Sequence, residues 1–146
     1  MLKKLNNKGF TLIEMLVVIA IIAVLVAIAI PTVTSATDKA AAATNAANLR
    51  SYKAAVTTAY LADAKGITIA KNTGDVTIDG SVKIMEKPEV KAMEGVEKTA
   101  ELKVKYVAAT GEFVVTYGDY TIEDFSEVAD GTYKTVTEAH TANTKT

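Results

Sequence analysis

The sequence predicts an α+β protein in which a long N-terminal helix packs against a small antiparallel β-sheet. Three observations predict this fold. Sixteen consecutive apolar residues run from Met15 to Ile30, a helical pattern continues to about residue 64, and hydrophobic residues then recur at every second position. Beyond the leader and the apolar segment, roughly a hundred residues remain, which is the size of one small domain.

The apolar segment is long enough to cross a membrane, and it contains one acidic residue. Residues 10–30 are interrupted only by Thr11 and Glu14, and a spanning helix needs about 20 residues. A carboxylate there costs about 2.5–3.5 kcal/mol, which the leucine, isoleucine and valine residues outweigh. No cation occurs between Lys8 and Lys39, so Glu14 needs a partner from elsewhere.

A short basic leader precedes this segment, and the junction reads Lys8-Gly9-Phe10-Thr11-Leu12-Ile13-Glu14. In this pattern the chain resembles the type IV prepilins of the pilin and pseudopilin superfamily, in particular type IVa-like ones with a short leader. The resemblance implies that a prepilin peptidase removes residues 1–9 by cutting between Gly9 and Phe10 and then methylates the Phe10 amine. It also implies that Phe10 and Glu14 direct filament assembly, the amine of one subunit neutralising the carboxylate of its neighbour.

The same resemblance implies a structural role without enzymatic activity or cofactor. The expected function is that of a type IV pilus subunit, serving adhesion, surface motility, biofilm formation or DNA uptake. The expected partners are further copies in a helical filament, the prepilin peptidase, and an assembly ATPase with its inner-membrane platform. Before assembly the chain would cross the cytoplasmic membrane once with its C-terminus outside, because the leader lysines favour that orientation. Afterwards it would lie in a cell-surface pilus.

Other interpretations of the N-terminus remain open. A pseudopilin of a type II secretion or competence system shares the signal, and a membrane-anchored adhesin that never polymerises would leave Glu14 incidental. An ordinary signal peptide cut after Ala27-Ile28-Ala29 is a further alternative, as is a plain signal anchor. The apolar run exceeds the roughly 7–15 residues of a signal-peptide core, and neither of these last two alternatives gives Glu14 a function.

Beyond the apolar segment, residues 32–65 are expected to continue the helix in amphipathic form. Pro31 lacks an amide hydrogen and is expected to kink the helix between the two halves, residues 10–31 and 32–65. Gly66 is a candidate C-cap. A stripe at steps of three and four is assigned to packing against the rest of the domain: Leu49, Tyr52, Val56, Ala59, Tyr60 and Asp63.

Residues 66–98 are expected to form a variable connecting region. Isoleucines 67 and 69, and the alternating residues Val76, Ile78, Val82 and Ile84 around Asp79-Gly80, predict short strands with a tight hairpin at that Asp-Gly pair. Residues 89–94 follow Pro88 and precede Gly95, which predicts one or two helical turns.

Residues 99–137 are expected to form the antiparallel sheet. Alternation over residues 101–107 and 112–117, joined through Thr110-Gly111, predicts a hairpin with one face on the helix and the other in water. A third strand is predicted over residues 132–137. The polar residues 138–146 are expected to form a flexible tail.

The composition offers little for catalysis. Cysteine is absent, the net charge is −1, and the single histidine, His140, falls in the polar tail, where solvation is the expected state. No basic cluster outside the leader suggests nucleic-acid binding. An acidic group could hold calcium through carboxylate oxygens, or could simply be an exposed loop that favours solubility: Asp119, Glu123, Asp124, Glu127 and Asp130.

Overall fold

A computed structural model describes residues 10–62, 65–79, 82, 84–97 and 99–145, with the backbone alone at Pro31. Its elements in chain order are α1 (Leu12–Leu61), β1 (Ile67–Ile69), β2 (Val76–Ile78), β3 (Leu102–Val107), β4 (Glu112–Tyr117), β5 (Tyr120–Thr121), α2 (Ile122–Asp130) and α3 (Val136–Asn143). A long helix against small antiparallel sheets confirms the predicted α+β class.

The chain divides into two compact units, Met1–Ala36 and Thr37–Thr146. In the first unit, every described side chain from Phe10 onward is exposed, although nearly all of them are apolar. Among the described residues, α1 is the one helix long and apolar enough to cross a membrane. Exposure of so many large apolar groups indicates a surface that meets lipid or another protein.

The strands form two sheets, a first sheet of β1 and β2 and a second sheet of β3, β4 and β5. The second unit contains the hydrophobic core, which joins α1 to the second sheet and to both short helices. From α1 the core contains three residues of the predicted stripe, Leu49, Tyr52 and Val56, each at most 2% exposed, together with Ala42 and Ala46 one to two turns earlier. Of the other stripe residues, Ala59 is half-buried, and Tyr60 is exposed although its ring packs on Phe113 at 5.2 Å. Asp63 lies outside the described residues. The other elements contribute Val104, Phe113, Val115, Phe125, Val128, Val136 and Ala139.

The hairpin of β3 and β4 has the predicted strands and orientation. The two strands pair antiparallel, with Val104 opposite Val115 and Tyr106 opposite Phe113. Val104, Phe113 and Val115 are buried while Lys103 and Lys105 are exposed. This alternation confirms a sheet with one face on the core and one in water. A third strand, β5, follows β4 through a tight turn at Gly118 and Asp119.

The prediction for the first hairpin was wrong about its turn. Strand β1 pairs with β2, so the turn lies between them at residues 70–75 and not at Asp79-Gly80. Val82 and Ile84 are in no strand, and Gly80 is outside the described residues. Gly74 fixes the turn, because it has φ +71° and a Cβ there would collide with the Tyr106 carbonyl oxygen. Its own carbonyl accepts from the Tyr106 amide at 2.7 Å.

The predicted C-cap of α1 at Gly66 was also wrong. The helix ends at Leu61, and Gly66 instead begins the first hairpin, its carbonyl accepting from the Asp79 amide at 2.8 Å. Gly66 therefore pairs with the end of the β1–β2 hairpin, although the local pattern had assigned it to the end of the helix.

Residues 89–94 do not form the predicted helical turns. The buried side chain of Asn45 takes both backbone groups of Lys91: Oδ1 accepts from its amide at 2.7 Å, and Nδ2 donates to its carbonyl at 3.0 Å. These are the groups that a helix would use for its own hydrogen bonds. As a result, residues 89–93 have no regular secondary structure, and Lys91 is hydrogen-bonded to α1.

The third predicted strand at residues 132–137 and the predicted flexible tail at 138–146 were wrong as well, because α3 begins at Val136. Thr135 is its N-cap and accepts from the Glu138 amide at 3.3 Å. Val136 and Ala139, three positions apart, are fully buried. Residues three positions apart lie on the same face of a helix, so both side chains can be buried together. In a strand the same two residues would point to opposite faces of the sheet.

Candidate functional site

The site with the strongest functional signal is the N-terminal end of α1, where Thr11 and Glu14 form a closed hydrogen-bonded ring. Oε2 of Glu14 accepts from the Thr11 amide at 2.8 Å and from its hydroxyl at 2.7 Å. In return the Glu14 amide donates to the Thr11 hydroxyl oxygen at 3.3 Å. This is a capping box, with Thr11 before the helix and a carboxylate three residues later.

The ring gives Glu14 a local structural role that the sequence analysis did not anticipate. Its negative charge lies in the first turn of α1, where the helix dipole and the unpaired amide groups favour an anion. The hydrogen bonds replace part of the water that the carboxylate would lose on entering an apolar environment. Within the described residues, its second oxygen, Oε1, accepts no hydrogen bond.

Phe10 lies directly before this ring, and its side chain is 75% exposed. Gly9, the other predicted cleavage-site residue, lies outside the described residues. Phe10 is one position from Thr11, whose amide already contacts Glu14. A positive amine at residue 10 would therefore arise close to the N-terminal end of α1 and to its acidic group.

Helical backbone continues through Pro31, so the apolar stretch and the residues after it belong to one helix, α1. Hydroxyl groups next to the proline donate to nearby carbonyls: Thr32 to that of Ala29 at 2.8 Å, and Thr34 to that of Ile30 at 3.3 Å. These bonds go to the carbonyls of Ala29 and Ile30 and not to that of Ala27, which lies four residues before Pro31 and loses its backbone donor there. The kink at Pro31 stays a prediction.

Of the predicted acidic group, Asp124 is built into the core, while Asp119, Glu123 and Asp130 are exposed. Asp124 is fully buried, and its oxygens accept from the Thr121 amide at 2.7 Å and from the Asn143 side chain at 2.9 Å, with His140 Nδ1 3.1 Å away. Asp130 accepts from the amide and hydroxyl of Thr132, and these bonds hold the pKa of its carboxyl below the ordinary value. No group of three or more described acidic or histidine residues is arranged to hold a metal ion.

His140 differs from the expectation for a polar tail. Its ring contacts Tyr120 edge-on at a centroid distance of 5.5 Å, in addition to Asp124. The expectation failed because the residues that hold the histidine lie 16 or more positions earlier in the chain. A usable signal for α2 was present, since Thr121 and Asp124 have capping-box spacing.

Comparison with known families identifies the N-terminal end of α1. The prokaryotic N-terminal methylation motif matches residues 4–30, which is the prepilin signature of type IV pilins and pseudopilins. The chain therefore carries a prepilin signal, and its apolar helix is consistent with membrane anchoring. Comparison with curated proteins and with solved structures finds no match.

The motif has direct implications for processing and assembly. It implies recognition by a prepilin peptidase and assembly within a pilus or a secretion system. The pilin-like family in which this motif occurs is structural and not catalytic. The matched residues include the whole Thr11–Glu14 ring and most of the exposed apolar part of α1.

Proposed function

We propose that this chain is a structural subunit of a type IV pilus. The prepilin peptidase would cut between Gly9 and Phe10 and methylate the Phe10 amine, and the apolar half of α1 would leave the membrane for the core of a filament. The observation that carries the proposal is the methylation motif at residues 4–30 on a helix whose described side chains are entirely exposed there.

Burial in a filament would account for the exposed apolar surface. At about 25 cal/mol per Å², burying one large aliphatic side chain contributes roughly 1.5–3 kcal/mol in water. Sixteen large hydrophobic side chains are exposed from Phe10 to Val33, and all of them except Phe10 belong to α1. Lipid covers the same surface before assembly, so transfer into a bundle of identical helices exchanges one apolar environment for another. Close packing and polar contacts then decide the association.

The pairing of Phe10 and Glu14 would supply such a polar contact. The capping box holds one oxygen of Glu14 on Thr11, and a neighbouring subunit's amine would bind the other oxygen. A charge left alone in this environment is strongly disfavoured, so only a stagger that brings amine and carboxylate together would be stable. The pair would thereby set the axial position of each incoming subunit.

Intact-mass and N-terminal analysis of protein sheared from cells tests the processing step. A mature chain that begins at Phe10 and carries one added methyl group is expected. Gly9→Val is the matched control, because it should retain residues 1–9. A chain that begins at Ile30, or a wild-type chain that keeps its leader, would contradict the proposal. Electron microscopy of the sheared material separates long pili from the short or absent fibres of a pseudopilin.

The Glu14→Gln variant tests the assembly step. Glutamine preserves the side-chain oxygen that accepts from Thr11, so the capping box remains while the charge is lost. Filaments in the sheared fraction should fall at least about tenfold, the effect of roughly 1.4 kcal/mol per subunit addition. Cleavage and methylation at Phe10 serve as the control and should continue. Normal filament yield from this variant would rule out the charge-pairing model.

A further inference from the structure

Strands β2 and β3 meet at one end and are unpaired at the other, which leaves a cavity between the two sheets. They meet where Asp75 is bridged to Lys105 and where the Gly74 carbonyl accepts from the Tyr106 amide at 2.7 Å. Beyond this bridge the described parts of β2 and β3 are not paired, and they belong to different sheets. The cavity has a volume of about 330 Å³. We call it the β2–β3 slot.

Tyr52 of α1 lines this slot, and its phenol has no hydrogen-bond partner among the described residues. Its side chain is only 2% exposed. Within the described part of the chain, every fully buried side-chain oxygen or nitrogen has a partner, so the phenol oxygen must retain access to solvent through the slot. Phenol groups in buried positions usually find a partner. This one therefore points to a ligand that supplies it.

Two backbone amides also face the slot. The Asp79 amide donates to the residue before β1 at 2.8 Å, and the Glu101 carbonyl accepts from the turn after β4 at 2.9 Å. In antiparallel sheets the backbone groups of successive residues face opposite sides of their strand. The amides of Ile78 and Leu102, each one residue along, therefore face away from their own sheet partners and across the slot.

The lining side chains add positive charge. Lys87 and Lys103 are exposed and line the slot, and neither is in an ion pair with a described residue. Asp75 lines its narrow end, but Lys105 is directly opposite on the same face and balances that charge. Glu101 flanks Lys103 along β3 without lining the slot. The wide end of the slot is therefore rich in hydrogen-bond donors and cations.

We propose that the β2–β3 slot binds a carboxylate ligand with a small apolar body. The carboxylate oxygens accept from the Tyr52 phenol and from the two backbone amides, and the two lysines supply the opposite charge. Hydrogen bonds to an ionised acceptor are stronger than those between neutral groups. The apolar body contacts the half-buried and buried side chains of the two strands: Val76, Ile78, Leu102 and Val104.

Amide spectra of the isotope-labelled full chain in detergent micelles test this site. N-acetylvaline is the first probe, since it joins a carboxylate to a small apolar body. It should shift the Ile78 and Leu102 amide resonances in a saturable way, with a dissociation constant on the order of 1 mM. N-acetylvaline methylamide has the same body without the charge. It is the matched control and should leave both resonances unchanged.

A second probe distinguishes the two sources of such a carboxylate. A valine–glutamate–valine tripeptide with blocked ends carries its carboxylate on a side chain, whereas N-acetylvaline represents a free small acid. Tighter binding of the tripeptide would assign the site to an acidic segment of a protein partner. Tighter binding of N-acetylvaline would assign it to a small acid, and either order supports the carboxylate site.

Three variants test the assigned contacts. Tyr52→Phe removes the phenol oxygen and keeps the ring, so N-acetylvaline should bind about tenfold more weakly. Lys103→Gln removes one exposed charge and should weaken binding about threefold. Lys71→Gln is the matched control, because Lys71 is an exposed lysine in the turn between β1 and β2. It should leave the affinity unchanged.

The outcomes are decisive in both directions. Equal shifts from N-acetylvaline and its methylamide would overturn the carboxylate site, and so would an unchanged affinity in Tyr52→Phe. If neither carboxylate probe shifts the two amides at about 20 mM, the phenol is hydrogen-bonded to solvent alone and the inference fails. The measurement involves no filament, so its result is independent of the proposed pilus function.

Discussion

His140 and Asp124 join the last helix of the chain to α2: Nδ1 of His140 lies 3.1 Å from Oδ2 of a carboxylate that is fully buried. Asn143, one turn further along α3, donates to the other oxygen of the same carboxylate at 2.9 Å. A single buried acid thus anchors α3 and caps α2 through Thr121. The C-terminal helix α3 is therefore part of the packed structure of the unit Thr37–Thr146.

Replacement of Asp124 by alanine should therefore destabilise this unit strongly. The substitution removes the N3 carboxylate of the α2 capping box and the buried acceptor that His140 and Asn143 share, so we expect a loss of about 3 kcal/mol in the free energy of unfolding. Urea unfolding of the full chain in detergent micelles measures it. Tyrosine fluorescence is a suitable signal, since all six tyrosines lie between residues 52 and 133.

The control is Glu123→Ala, one position earlier on the exposed face of α2. It should change the free energy of unfolding by less than about 0.5 kcal/mol. Equal effects from the two variants would mean that the buried hydrogen bonds of Asp124 contribute nothing beyond a surface charge.

Val136 tests whether α3 belongs to the core. The side chain is fully buried, so Val136→Ala should cost about 1–3 kcal/mol through lost burial and the cavity left behind. Thr141→Ala, on the exposed side of α3, should cost much less. Thermal unfolding of both variants is the measurement, and unchanged stability of Val136→Ala would restore the interpretation of these residues as a flexible tail.

Asn45 and Asn48 form a matched pair on α1. Asn45 is fully buried and makes two hydrogen bonds with the backbone of Lys91, whereas Asn48 makes one weaker bond, at 3.4 Å, to the Glu89 carbonyl. Asn45→Ala should destabilise by about 2–3 kcal/mol, because it removes a buried side chain and leaves two part-buried backbone groups of Lys91 unpaired. Asn48→Ala should cost less than about 1 kcal/mol.

Hydrogen exchange separates a local effect of Asn45→Ala from a global one. The Lys91 amide should exchange faster in this variant than in Asn48→Ala, even where global unfolding is too slow to matter. Equal exchange rates in the two variants would contradict the assignment of Asn45 as the anchor of residues 89–94.

Tyr52 predicts how stability depends on pH in alkaline solution. Its ring packs between α1 and the sheet, and burial raises the pKa of its phenol above the ordinary value of 10.0. A raised pKa in the folded state favours the neutral form. The resulting contribution to stability is complete below the unfolded-state pKa and is lost as pH rises through the folded-state pKa.

The Tyr52→Phe variant checks this contribution. Wild-type stability should fall as pH rises above about 10, and the variant should lose less over the same range. Urea midpoints at neutral and alkaline pH give the comparison, with the neutral value as internal control. Parallel pH profiles for wild type and variant would show that the pKa of the Tyr52 phenol does not differ between the folded and unfolded states.

Local patterns were sufficient wherever the decisive interactions are close in sequence. The apolar run, the carboxylate at Glu14 and the leader define the prepilin signal within about thirty residues. Strict alternation in β3 and β4 fixed which residues face the core, because side chains on a strand alternate between two faces. The stripe of Leu49, Tyr52 and Val56 likewise follows from helical periodicity.

Only the tertiary structure decided the elements whose partners are distant. Whether residues 89–94 form a helix depends on Asn45, more than forty residues away. Whether residues 132–137 form a strand depends on the burial of Val136 and Ala139 in the core. The acidity of Asp124 suggested exposure, and only its hydrogen bonds from two other elements make burial possible. The sequence by itself determined the segments with strong local periodicity, while the tertiary structure decided the weakly patterned ones, because long-range contacts there outweigh small local preferences.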